Sequence, residues 1–211
     1  MRKKIFFAMS LSLFLVSGGW AFAQSKEHDA LALDTRDFHV RGHITNIAGD
    51  TILVSPHSGA PISVKLLDQS YVFMVEKAAS GDIRSGEFIS TAATRGRDGR
   101  LLAKEVTIYP DFARNGPDGR FQWDLGQDSS LTIGRVGDVT SFGDTRVIGL
   151  TFSSGSDEVT IPTQAPIVTF GHGNREDLRV GASVFIPAFR QPSGLLATYS
   201  IFVGDHVPPP M

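Results

Sequence analysis

Apolar and polar residues alternate in short runs between positions 40 and 110, and glycine, aspartate, serine or proline clusters separate these runs. Alternation with a period of two is typical of half-buried β-strands, and the clusters are typical of tight turns. A Gly49-Asp50 turn, for example, would join residues 40–47 to residues 51–54 as a hairpin. The pattern predicts further strands at residues 62–66, 71–75, 87–92 and 101–108. Residues 77–85 lack the alternation and predict a helical turn.

The second half of the chain repeats these signals in the same order. The matched segments are Gly42-His43-Ile44 with Gly134-Arg135-Val136, Gly49-Asp50 with Gly143-Asp144, Ser58-Gly59 with Ser154-Gly155, residues 82–86 with 177–181, and residues 99–103 with 194–197. Five ordered matches indicate an internal repeat. We therefore predict an all-β protein of two tandem small OB-like β-barrels, residues 38–110 and 131–204, each closing on itself. Two halves that share one core remain an alternative.

The ends of the chain have different compositions. Three cations at positions 2–4, an apolar run to residue 16 and Ala21-Phe22-Ala23 form the pattern of a signal peptide, residues 1–23, cleaved after Ala23. A retained membrane anchor is the alternative, but residues 17–19 interrupt the run before it reaches spanning length. Residues 24–37 predict a mobile N-terminal segment, and residues 205–211 predict a Pro-rich tail. We expect a periplasmic or secreted protein with no membrane span in the mature chain.

Composition excludes several classes of protein. The chain has no cysteine, which excludes disulfides, thiolate metal sites and a lipid-modified cysteine. Its formal net charge is −2, and removal of the three cations of residues 1–23 gives −2 − 3 = −5. Nucleic-acid binders concentrate cations on one face. Here the one local cluster, Arg95, Arg97 and Arg100, is interpreted as a solvated turn, so we expect no nucleic-acid partner.

Residues 111–130 have the composition of turns without strand alternation, which predicts a linker between the barrels. The segment nevertheless contains Phe112, Phe121 and Trp123. Flexible linkers lack large aromatic residues. We therefore predict that Phe121 and Trp123 anchor the linker to one or both barrels.

The second half resembles a family of uncharacterised exported bacterial proteins that contain a domain of unknown function with an OB-like β-barrel. The resemblance extends over most of the mature chain and is clearer in the second copy. It rests on Trp123-Asp124-Leu125, Ser130-Leu131-Thr132, residues 165–170, residues 175–186 and Pro209-Pro210-Met211. It implies the fold and export, and it implies no catalytic residues.

Three histidines are the weak candidates for metal ligands: His39, His43 and His57. His39 and His43 are four positions apart, so they would face the same side of a strand. At about 3.3 Å per residue, however, they would lie about 13 Å apart, too far to share one ion on a straight strand. No serine, histidine and acid pattern indicates a catalytic site, and no glycine-rich phosphate loop precedes a helix. We predict no catalytic residue, no resident metal and no cofactor.

These observations favour an exported, non-enzymatic binding or scaffolding protein of the cell envelope. Its partner would be an unknown envelope protein or glycan. A periplasmic metal-handling accessory protein is the first alternative. The second is an enzyme of unrecognised type with a cleft between the two domains.

Overall fold

A computed structural model describes residues 38–204, and this part of the chain is all-β with no α-helix. The expectations for residues 1–23, 24–37 and 205–211 lie outside the described residues. The strands are β1 (Phe38–Ala48), β2 (Thr51–Pro56), β3 (Ile62–Lys77), β4 (Phe88–Arg95), β5 (Leu101–Ile108), β6 (Gly119–Gln122), β7 (Ser129–Phe142), β8 (Thr145–Phe152), β9 (Gly155–Ile161), β10 (Ile167–His172), β11 (Ser183–Arg190) and β12 (Leu196–Gly204).

The strand boundaries agree with the alternating pattern in most of the first half. The main difference is β3, which joins two predicted strands into one strand of 16 residues. The polar residues between them form a bend, where Gln69 has a φ of 63° and the Ser70 hydroxyl donates to the Leu67 carbonyl at 2.7 Å. The predicted helical turn is a 3-10 turn at Ser80–Asp82.

Five strands close into a first ring in the order β1, β2, β3, β12, β11 and back to β1. The pairing of β3 with β12 is parallel, and the other four pairings are antiparallel. A closed ring has no unpaired strand edge, so every strand in it hydrogen-bonds on both sides. The predicted β-barrel character is confirmed by this closure.

A second ring runs in the order β7, β8, β9, β5, β4 and back to β7. It closes through a short parallel pairing in which Leu101 and Leu102 of β5 oppose Val159 and Thr160 of β9. Strand β10 joins the rings, because it pairs antiparallel with β3 and parallel with β5. Strand β6 pairs with the first part of β7.

The strand pairing differs from the prediction that residues 38–110 and 131–204 close separately. The first ring takes β1–β3 from the first half and β11–β12 from the second, whereas the second ring takes β7–β9 from the second half and β4–β5 from the first. The two halves thus exchange their last two strands. Repeated halves present similar strand edges, so alternating sequence specifies the strands but not which copy supplies the partner.

Equivalent positions of the two halves adopt similar backbone conformations. Gly49 and Gly143, at the first hairpin turn of each half, have φ values of 59° and 60°, which favour glycine. A Cβ on Gly42 would lie 2.1 Å from the Ser55 carbonyl oxygen, and one on Gly134 would lie 2.5 Å from that of Thr151. The same close approach of two strands therefore occurs once in each ring.

The apolar side chains form three buried clusters. One fills the first ring and includes Ile44, Ile52 and Ile186, and a second fills the other ring and includes Ile148 and Leu150. The third lies between the rings and is mainly aromatic; it contains Phe73, Phe88, Tyr109, Trp123, Phe170, Phe185 and Phe202. The two rings therefore share a core that neither half could bury alone.

Among residues 38–204 there is no helix with the length and apolar character needed to cross a membrane.

The exchange of strands predicts that the two halves depend on each other. A specific protease site placed in residues 114–118 lies in the connection before β6. After cleavage we expect the fragments to co-elute in gel filtration, because each ring contains strands from both. After separation in denaturant, neither fragment alone should regain the native circular dichroism spectrum, whereas the mixture should. The uncut protein with the same insertion is the control, and cooperative refolding of either fragment by itself would contradict the exchange.

Candidate functional site

The predicted linker is attached to both rings rather than spanning open space. Phe121 lies in β6 opposite Leu131 and packs at the edge of the aromatic core, and Trp123 is buried in that core with 4% of its surface exposed. The backbone N–H of Trp123 donates to the backbone carbonyl of Ser129 at 3.1 Å, and the Ser129 hydroxyl donates to the backbone carbonyl of Trp123 at 2.7 Å. These two hydrogen bonds hold the backbone N–H and the backbone carbonyl of Trp123, and so fix the position from which its indole enters the core.

Trp123 and its neighbour Asp124 meet the outer face of β1. The Arg41 guanidinium donates two hydrogen bonds to the Asp124 carboxylate, at 2.6 and 3.0 Å. His39 Nδ1 lies 3.2 Å from the same carboxylate, and its ring packs against Trp123 at a tilt of 36° with centroids 4.2 Å apart. His39 and Arg41 share a face of β1 because they are two positions apart. The group clamps the segment to the first ring.

The Arg41 guanidinium also contacts aromatic rings. Its central carbon lies 4.9 Å from the Phe185 centroid and 5.6 Å from the Trp123 centroid. Cation–π contacts of this kind contribute about 0.5–2 kcal/mol each. Together with the carboxylate they hold Arg41 from two directions, which lysine could not reproduce in the same geometry.

Burial sets the charge states of this clamp. Burial lowers the pKa of His39 below its usual 6.5, and this effect exceeds the opposing attraction of Asp124. Burial alone would raise the pKa of Asp124, but hydrogen bonds and charge from Arg41 hold that pKa below its usual value. The side chain of His39 is only 4% exposed, and its Nε2 has no hydrogen-bond partner among residues 38–204. The His39 and Asp124 pair therefore lies within the packed contact between β1 and the Trp123 segment.

The three candidate histidines are not brought together. His43 and His57 approach each other with ring centroids 6.0 Å apart, and His43 Nδ1 lies 3.1 Å from the Ser183 hydroxyl. His39 is in the clamp instead. No group of three or more histidine, aspartate or glutamate side chains in the described part of the chain could hold a metal ion. A structural zinc site commonly needs four protein ligands, and this pair supplies two.

Two depressions lie elsewhere on the rings. A cavity of about 160 Å³ is bounded by the bend of β3 at Ser70 and Tyr71 and by His172–Arg175 after β10. A larger cleft, of about 340 Å³, lies at the open end of the second ring and is lined by Arg95, Arg120, Gln122, Gln127 and Ser130. The volume of the larger cleft lies near the lower limit of the volumes found for small-molecule binding sites.

The register of β6 and β7 explains the position of the larger cleft. Ser130 is paired with Ala93 of β4 and with Gln122 of β6, and Thr132 is paired with Arg120. Directly paired residues lie on the same face of a sheet, and Ala93 belongs to the core of the second ring. The cleft is therefore the mouth of the second ring, which we call the Arg95 cleft.

Comparison of the chain with protein-family models, with curated proteins and with solved structures finds no match. The resemblance to a family of exported proteins therefore stays an expectation from the sequence.

The sequence indicated His39 as a candidate metal ligand and Trp123 as an anchor of the linker, but it did not indicate their partners, Arg41 and Asp124. Two signals could have suggested the partners: Arg41 is two positions after His39 on the same strand face, and Asp124 adjoins Trp123. Their contact joins residues 83 positions apart, and the sequence gives no sign of which strand Asp124 meets.

Removal of the buried indole tests the role of the segment. We expect Trp123→Ala to lower the free energy of unfolding by about 3–5 kcal/mol, because it leaves a cavity in the aromatic core. Urea denaturation followed by circular dichroism measures the change. Tyr199→Ala, at an aromatic residue that is 52% exposed, is the control and should cost less than about 1 kcal/mol. Equal losses in the two variants would show that Trp123 anchors nothing.

Acid should weaken the clamp. A histidine whose pKa is lower in the folded protein contributes stability that is complete above its unfolded pKa of about 6.5 and is lost as the pH falls below that value. Asp124 acts in the same direction at lower pH, because its folded pKa is also lowered. We therefore expect the urea midpoint of the wild type to fall between pH 7 and pH 5.

His39→Asn keeps a donor for Asp124 and removes the titration, so it should reduce this fall. His57→Asn, at an exposed histidine, is the matched control and should leave the fall unchanged. An identical pH dependence of the wild type and His39→Asn would contradict the assignment.

Proposed function

We propose that this protein is an exported, non-enzymatic binding or scaffolding module built from two OB-like barrels. Export is supported by the N-terminal sequence pattern. The OB-like assignment is supported by the strand order of each ring, in which the first three strands are consecutive and the third pairs parallel with the last. OB folds commonly bind oligosaccharides or oligonucleotides through the loops at one end of the barrel.

One surface of the first ring carries this proposal. The hairpin of β11 and β12 exposes Leu195 (58%) and Tyr199 (52%). Tyr199 stacks on Phe189 with centroids 5.6 Å apart. Large apolar side chains grouped on a surface indicate an interaction site. We call this group the β11–β12 aromatic surface.

The chemistry of this surface fits a protein or glycan partner. Exposed aromatic rings are among the residue types that dominate protein interfaces, and aromatic faces also stack on sugars. The space between the rings is filled by the aromatic core. That filling supports a binding role over an enzyme with its cleft between two domains.

Affinity capture from the native envelope fraction tests the proposal, with mass spectrometry of bound proteins and glycans. We expect a reproducible ligand that Tyr199→Ser removes, because the exposed ring would be lost while the core is untouched. Phe142→Ser, at the exposed tip of the β7–β8 hairpin (67% exposed), is the matched control and should retain the ligand. Loss of capture in both variants, or in neither, would count against the β11–β12 aromatic surface.

A further inference from the structure

Each ring has an open end, its mouth, at which an arginine ends a strand, and the two ends are built in the same way. In the first ring Arg190 ends β11, and its guanidinium donates to the Gly194 carbonyl four positions later at 2.7 Å. In the second ring Arg95 ends β4, and its guanidinium donates to the Gly99 carbonyl four positions later. Gly194 and Gly99 have φ values of 86° and 83°, so the two hairpins have the same local geometry.

The residues beneath these arginines differ in a systematic way. Phe38 is paired with Ala188 in the first ring, and Ser130 is paired with Ala93 at the equivalent place in the second. The next inward pair is Val40 with Ile186 in the first ring but Thr132 with Thr91 in the second. Phe38, Val40 and Ile186 line the mouth of the first ring. The equivalent residues of the second ring are Ser130, Thr132 and Thr91, each of which carries a hydroxyl.

The hydroxyls of the second mouth are costly to bury. Ser130 is 5% exposed and Thr91 is fully buried, and the side-chain oxygens of both have no hydrogen-bond partner in the described part of the chain. A buried hydroxyl without a partner is destabilising, because it loses its hydrogen bonds to water and gains none in the protein. The equivalent residues of the first ring show that an apolar pair fits this position, so stability alone does not require the hydroxyls.

The charged groups of the mouth divide into paired and available ones. The Asp157 carboxylate accepts from Arg120 at 3.2 Å and from the Thr132 hydroxyl at 3.0 Å, so its charge is compensated within the mouth. Arg190 has the face of Phe38 as a partner, whereas Arg95 has Ser130 at the equivalent place and the Gly99 carbonyl as its side-chain hydrogen-bond acceptor within residues 38–204. Arg95 therefore lines the cleft with N–H groups that have no further side-chain acceptor within residues 38–204, and the Asp128 carboxylate lines the same cleft.

We propose that the Arg95 cleft binds an oligosaccharide that carries a carboxylate. Arg95 would receive the carboxylate, because a guanidinium matches a carboxylate in two-point hydrogen bonding. Gln122, Gln127 and Ser130 line the same cleft and supply donors and acceptors for sugar hydroxyls. This site is separate from the β11–β12 aromatic surface, so either can fail without the other.

A saccharide fits the cleft better than a single-stranded nucleic acid does. Nucleic-acid grooves need cations spread along several phosphates and successive aromatic rings for the bases. The lining residues of the cleft include Arg95 and Arg120 at one mouth but no row of aromatic rings, and they also include Asp128. The whole chain has a formal net charge of −2.

Calorimetric titration with defined probes tests the proposal. The acidic probes are tri-galacturonate and tri-mannuronate, the neutral control is the methyl ester of tri-galacturonate, and the competing probe is oligothymidylate. We expect saturable binding of at least one acidic trimer that weakens as salt is added, and at least about tenfold weaker binding of the ester, the loss expected for one charge-assisted hydrogen bond.

Two variants of the mouth and one matched control locate the site. Arg95→Gln should weaken the acidic trimer at least about tenfold. Ser130→Phe places in the second ring the residue type that closes the first, and it should abolish binding. Arg84→Gln removes the same charge from an exposed arginine before the start of β4, at the opposite end of that strand from Arg95, and it should bind like the wild type. Thermal unfolding of each variant shows whether the fold is retained.

Several outcomes would overturn the proposal. They are no saturable binding of either acidic trimer at millimolar concentration, equal binding of the ester, or equal effects of Arg95→Gln and Arg84→Gln. Tighter binding of oligothymidylate than of the acidic trimers would assign the cleft to a nucleic acid instead. Because Ser130→Phe could perturb the ring, retained binding in a folded Ser130→Phe variant would also contradict the site.

Discussion

Ring closure by exchanged strands is the constraint on which the remaining structure depends. Strand β3 is the last strand that its own half contributes to the first ring. One of its edges pairs with β12, and the end of its other edge, beyond β2, pairs with β10; both partners come from the other half. Strand β5 is likewise satisfied by β9 and β10. An unpaired strand edge exposes a row of backbone donors and acceptors, and pairing removes that liability. Because these edges are filled by the distant half, the two rings fold as one unit with a fixed relative position.

The exchange creates the aromatic core as a consequence. The connecting strand β10 carries Phe170 into the space between the rings, and β3 and β12 of the first ring carry Phe73 and Phe202 there. The 119–130 segment closes this space with Trp123, and Arg41 and Asp124 fix it at the surface. Aromatic side chains bury a large apolar area each and prefer tilted or edge-on contacts. Phe170 meets Phe202 in this way, with an interplanar angle of 87° and centroids 5.4 Å apart, and the Phe170 centroid lies 5.5 Å from that of Phe73.

Equivalent backbones carry different chemistry at the two ring mouths. The hairpins after Arg95 and Arg190 have the same turn geometry and the same arginine-to-carbonyl hydrogen bond. Beneath them, Phe38 gives one mouth an apolar closure and Ser130 gives the other a polar floor. Repetition therefore preserves what the backbone requires, such as the close approach at Gly42 and Gly134, and leaves the side chains of the mouth open to divergence. Such divergence on a common scaffold is how one barrel type acquires different ligands.

The sequence by itself determined the strand content, the turns and the correspondence of the two halves, because alternation and turn residues are local properties. It also marked Trp123 as an unusual residue for a linker. Tertiary structure alone decided which half supplies each ring's last two strands, since edges of similar pattern do not distinguish their partners. It likewise decided that His39 meets Asp124 rather than His43, and that Arg95, Arg120 and Ser130 converge at one mouth. These contacts join residues far apart in the chain, and their spacing is set by strand register rather than by sequence distance.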